Sequence, residues 1–135
     1  MADSFKFELV SPERLLISED VESVIIPGTE GEMTVMANHA PVMSTVKPGI
    51  VTVKPVSGSE QQYAVFGGFA DILPETCTVL AESAVHVDDL DREDLQRRIE
   101  EAKHQAEHAE DLDERNRAEL FLHQLTTLEQ AIIPA

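Results

Sequence analysis

From Ala84 to Ile133 the chain contains neither glycine nor proline, whereas all six glycines and six of the seven prolines lie before residue 75. Glycine supplies backbone angles that other residues avoid, and proline stops a helix or interrupts a ladder. A chain divided in this way has two differently built parts, a turn-rich one and then a helical one. The shift falls near residues 84–90, which predicts domains over 1–87 and 88–135. The first span holds 12 acids and 4 bases and the second 14 and 6, so each stands near −8, the second in far fewer residues.

The first span reads as strands. Phe5, Phe7 and Leu9 alternate with Lys6 and Glu8, the period of a half-buried strand. Further β-rich runs cover 14–17, 21–26, 32–36, 42–46, 50–54, 61–66, 69–73, 76–81 and 84–87. Turn chemistry separates many of them, at Ser11-Pro12, Pro27 to Gly31, Lys47-Pro48-Gly49, Ser57-Gly58 and Gly67-Gly68. Short strands at this spacing predict an antiparallel β-sandwich of about ten strands.

The second span reads as an antiparallel two-helix hairpin. Leu95, Ile99, Ala102, Ala106 and Ala109 recur at helical spacing, and Ala118, Phe121, Leu122, Leu125, Leu128 and Ile132 form a second, greasier stripe. Asp88, Asp89 and Asp91 are candidate N-caps for the first helix, Asp111 or Asp113 for the second. The short polar link at 110–114 makes the helices antiparallel neighbours.

Composition removes several functions. With 10 Lys+Arg against 26 Asp+Glu, and no Trp, the chain is repelled by nucleic acid and anionic lipid and lacks a base-stacking platform. Cys77 is the only cysteine, so neither an internal disulfide nor a cysteine zinc cage can form. No apolar run approaches the ~18 residues that cross a bilayer. The opening residues Met1 to Lys6 resemble neither a signal nor a transit peptide. A soluble protein is expected, reaching a membrane only through something already there and without inserting into lipid.

Little here suggests catalysis. His104-Gln105-Ala106-Glu107-His108 matches the H-x-x-E-H pattern of inverted zinc proteases, and two His four apart share a helical face. That chemistry needs another ligand well downstream, and only 27 residues follow His108 (135 − 108). At about 100° per residue both His lie opposite the Ile99/Ala102/Ala106 stripe, in solvent. The glycine loops lack a phosphate-binding pattern, and Glu30 and Glu32 repel phosphate. Ser44 and His39 have no nucleophile elbow to organise them. Cys77 reads as a small buried hydrophobe. A non-enzymatic protein-binding sandwich with a helical hairpin, without cofactor or metal, is the reading from residues alone.

Several loops carry a resemblance. Val24 to Glu32, Asn38-His39-Ala40-Pro41, Lys47-Pro48-Gly49, the opening Phe7 to Glu13, Gly67-Gly68-Phe69 and Val79 to Glu82 closely resemble the epsilon subunits of F-type ATP synthases, in the family's order. The motifs cover most of residues 5–87; the hairpin matches in length and place more than in sequence. The resemblance implies a ten-stranded sandwich and two antiparallel helices. It implies a non-catalytic rotor subunit of the central stalk in a proton-transporting complex. Such a subunit binds gamma, sits on the c-ring, and reaches the catalytic alpha/beta head through its hairpin. Mitochondrial members carry a transit peptide; its absence makes a bacterial protein the expectation, peripheral on the cytoplasmic face of the inner membrane. By the same resemblance Glu30, Gly31 and Glu32 are expected at the c-ring and His39 at gamma.

The family's hairpin often regulates hydrolysis, and some members fold it around ATP at an apolar-Asp-x-x-Arg-Ala motif. Leu90 and Asp91 fit that motif, but Asp94 stands where Arg is expected and Leu95 where Ala is. The site is broken at its charge-bearing position. Two rival readings are a free-standing adaptor, which would purify without stalk partners, and a zinc hydrolase resting on His104, Glu107 and His108, which would purify with zinc.

Overall fold

The structure is a computed structural model and describes residues 4–132, with side chains to residue 130. Met1 to Asp3 of the N-terminal reading, and the side chain of Ile132 in the second stripe, lie outside the described residues. The chain divides into two compact units, Met1–His86 and Val87–Ala135.

The first unit contains β1 (Phe5–Val10), β2 (Leu15–Gly28), β3 (Gly31–Met36), β4 (Val42–Pro55), β5 (Gln61–Ile72), β6 (Thr76–Ala81) and β7 (Ala84–His86). The ladder runs β1-β6-β5-β4-β2-β3, with β7 on β5, and β1 also pairs with β2. That last pairing closes the path into a ring. The β1–β6 pairing is parallel and all the others are antiparallel.

The ten predicted runs thus lie on seven continuous strands. β2, β4 and β5 each carry two of them. The intervening residues bend a strand instead of ending it. Gly67 and Gly68 have φ of 105° and 138°, yet both lie within β5. Pro48 lies opposite Phe66 inside the β4–β5 ladder. On β2 the register with β4 shifts between Val21 and Ser23 and again between Ile25 and Gly28. An extra residue at such points kinks a strand and lets its two halves serve different neighbours. β2 accordingly pairs with β1 through its first half and with β3 through its second.

Inward-facing residues of every strand of the ring form one core, including Phe5, Phe7, Leu9, Val24, Ile26, Val51, Ile72 and Val79. Fully burying a side chain of this size contributes about 1.5–3 kcal/mol before chain entropy is set against it. Cys77 belongs to this core. Burial, and after it the charge of Asp71, pushes its thiol up to about 12, so it offers no thiolate near neutral pH.

The second unit starts with a 3-10 turn, Val87–Asp89, and continues as α1 (Arg92–Glu107) and α2 (Leu112–Ile132). Asp91 caps α1, its Oδ1 accepting from the Glu93 N–H at 2.9 Å. Asp111 caps α2, accepting from the Glu114 N–H at 2.7 Å, while Glu114 accepts from the Glu110 N–H at 3.4 Å. The first bond is an N-cap, and the second ties the residue before the cap to the first turn of the helix. Leu95, Ile99, Ala102 and Ala106 are buried on α1, and Leu125 and Leu128 on α2. Phe121, expected in the second stripe, is 36% exposed instead. It lines an open groove of about 390 Å³ with Gln105, Glu114, Arg117 and Ala118.

Candidate functional site

The β unit offers a turn, a loop and a face. The turn joins β2 to β3. Gly28 pairs with Gly31, leaving Thr29 and Glu30 as a two-residue connection. A side chain at Gly28 would put its Cβ 2.8 Å from the Gly31 carbonyl oxygen, which explains glycine there. The Thr29 N–H donates to the Thr45 carbonyl at 3.0 Å and so fastens the turn to β4. Glu30, Gly31 and Glu32 are all exposed at this tip.

The loop lies at the other end of β3. Six residues of strand separate it from the turn, about 17 Å at an ordinary rise. Asn38 holds φ of 66°, a left-handed conformation that asparagine tolerates, and its N–H donates to the Pro74 carbonyl at 2.9 Å. His39 is half-buried, and its Nδ1 donates to the Ala40 carbonyl at 2.7 Å. The structure therefore does not gather the sequence-predicted residues at one point. It sets Glu30, Gly31 and Glu32 at one end of a strand and His39 at the other.

Sequence reasoning missed the face. On the outer side of the ladder Phe69 lies opposite Thr45 on β4 and Leu80 on β6, and Leu80 lies opposite Val10 on β1. Met43, two residues before Thr45, points to the same side. Met43 is 71% exposed, Phe69 54% and Leu80 53%. A shallow depression of about 330 Å³ lies among Val10, Pro12, Phe69 and Leu80. Exposed apolar side chains grouped in this way, with Thr45 and Asp71 among them, make the face a candidate protein-docking surface. The His39 loop runs directly into the Val42–Met43 end of this face.

Leu90 and Asp91 sit just before α1, with Leu90 half-buried and the Asp91 carboxylate engaged as the cap. Asp94 accepts from Arg97, and also from Arg98 Nε at 3.2 Å. A carboxylate thus occupies the motif's charge-bearing position and engages the guanidinium groups of Arg97 and Arg98.

The family profile of the ATP synthase delta/epsilon chain β-sandwich domain matches residues 4–87. The chain belongs to the ATP synthase epsilon-chain family. Epsilon chains of Mesorhizobium japonicum and of a Chelativorans species are 70% and 62% identical to it, each over the whole of both chains. Among solved structures, a chain in the Euglena gracilis mitochondrial ATP synthase (OSCP/F1/c-ring, rotational state 1) superposes with a TM-score of 0.75 at 29% identity. That match covers 96% of this chain and 81% of the other. For an epsilon-family chain, the resemblance first carried by short loop motifs thus extends through the helical hairpin.

Proposed function

We propose that this chain is a non-catalytic central-stalk subunit of a proton-transporting F-type ATP synthase, seated peripherally on the cytoplasmic face of a bacterial inner membrane. The end-to-end correspondence with an ATP synthase epsilon chain at 70% identity carries the reading. Among the described residues no helix is long and apolar enough to cross a membrane, which agrees with a peripheral seat. In this reading gamma covers the Met43/Phe69/Leu80 face, with His39 at its edge, and the Glu30–Gly31–Glu32 tip meets the polar loops of the c-ring. The ring of strands between them carries rotation from one partner to the other. Purification of the native assembly tests it. The chain is expected with gamma and the catalytic head, and its recovery free of both overturns the assignment.

The tip has its own test. Glu32→Lys is expected to weaken coupling modestly, by about 1 kcal/mol or less of contact energy, because an exposed rim charge contributes little alone. ATP-driven proton pumping in membrane vesicles reads this. Pumping and synthesis at unmodified rates would remove Glu32 from the c-ring site.

The hairpin is expected to bind ATP poorly. A polyanion needs uncompensated positive groups, and here Asp94 engages both Arg97 and Arg98 within a unit near −8. Calorimetry should give a Kd weaker than about 1 mM. By the same charge argument the hairpin is repelled by acidic segments of the catalytic subunits. Deleting residues 88–135 should therefore raise hydrolysis less than about twofold, a change of under 0.5 kcal/mol in barrier. Micromolar binding, or a several-fold rise, would contradict this.

A further inference from the structure

We propose that His104 and His108, at the C-terminal end of α1, form an exposed two-imidazole chelate for one divalent transition ion of the zinc and copper group. The site has no part in catalysis. Both side chains are exposed, one helical turn apart, with ring centroids separated by 4.1 Å and planes inclined at 35°. His108 is already arranged as a ligand. Its Nδ1 lies 2.9 Å from the His104 carbonyl oxygen. A carbonyl can only accept, so Nδ1 carries a proton, and Nε2 is the ring nitrogen left to bind a metal. Metal-ligating histidines are held in just this way, with the far ring nitrogen donating to a backbone carbonyl or carboxylate.

The same carbonyl also accepts the backbone N–H of His108 at 3.0 Å, which fixes the residue at the helix end. Zinc–nitrogen bonds of about 2.0–2.1 Å at a tetrahedral angle place two ring centres about 5 Å apart. Rotation of the exposed His104 ring supplies the difference. Among the described residues no group of three or more His, Cys, Asp or Glu side chains converges on a common point, so water fills the remaining positions. Imidazole ligands with open positions suit zinc, copper and nickel over magnesium and calcium, which require oxygen. Glu100 is paired with Lys103 at 3.5 Å, and the exposed Glu101 and Glu107 add an attractive field. An ion spanning the pair joins the last turn of α1 to its C-cap residue. Because the unfolded chain holds no such pair in register, binding stabilises this helix end.

Zinc chloride alone, titrated into the full chain, is the probe. The ring resonances of His39, His86, His104, His108 and His123 are followed by NMR. His104 and His108 are expected to shift together and saturate at one ion per chain, while the other three stay in place. His104→Gln and His108→Gln should each lower the affinity at least about tenfold, because each removes one arm of the chelate. Both positions are exposed, and unchanged circular dichroism would show that the variants remain folded. Resonances of the pair that do not move in millimolar zinc would overturn the proposal. So would full affinity in the double variant, which would place the ion on carboxylates.

Discussion

Replacing Gly68 by alanine is expected to destabilise the β unit by about 2–5 kcal/mol, the sum of backbone strain and overpacking. Gly68 has φ of 138°, and a Cβ there would sit 2.1 Å from the Leu80 carbonyl oxygen and 2.9 Å from the Ala81 Cα. Both neighbours are backbone, so neither can rotate away. The position is held between Val46 on β4 and Ala81 on β6, and a shift on one side disturbs both ladders. Small domains have only about 5–15 kcal/mol of total stability, so the variant stands close to unfolding. Gly58 provides the control. Its φ is 104°, but nothing lies within 4 Å of an added Cβ, so Gly58→Ala should cost only strain, about 1–2 kcal/mol. Urea unfolding followed by circular dichroism would measure both, and equal midpoints would refute the close-packing account.

The other large effect is on assembly. Phe69→Asp should leave the isolated chain folded, since Phe69 is 54% exposed, yet weaken gamma binding about a hundredfold. An aromatic side chain at the centre of an apolar patch has the character of an interface anchor. Aspartate there would also meet the negative charge of Asp71, two residues along the same face. Titration against purified gamma reads the loss. Unchanged affinity in a folded variant would place gamma elsewhere, and would leave the Glu32 and hairpin expectations standing.

What could be read from the residues, and what could not, follows the physics of each signal. Alternation in Phe5, Phe7 and Leu9 fixes a strand and its buried face, and the structure buries all three. Asp91 and Asp111 were legible as caps because a carboxylate ahead of a helical stripe has a local role. Strand continuity was not legible. Lys47-Pro48-Gly49 and Gly67-Gly68 carry turn chemistry, but here the same chemistry bends β4 and β5 within a ladder, and only the pairing partner distinguishes the two outcomes. The docking face was hidden for a related reason. Phe69 and Leu80 resemble core residues, and period-2 reasoning cannot say which side is core when both sides of a strand carry apolar residues. The site residues Glu30, Gly31, Glu32 and His39 came from resemblance alone. The predicted run at 32–36 already separates the tip from His39, and the structure shows it as the single strand β3.

The parallel pairing of β1 with β6 bears on how this chain is made. Lys6 lies opposite Thr76 and Val10 opposite Leu80, so the chain as far as Leu80 must leave the ribosome before the first strand is fully paired with its second neighbour. The β1–β2 hairpin can form early, because its partners are close in sequence. Until β6 arrives, however, β1 presents an unpaired edge and the side chains of Phe5, Phe7 and Leu9 have half their cover. Contacts this distant in sequence slow folding and lengthen the time an open strand is available to other chains. This pairing spans the longest stretch of sequence in the ring, and the interval before it forms is when the nascent subunit is most exposed to aggregation.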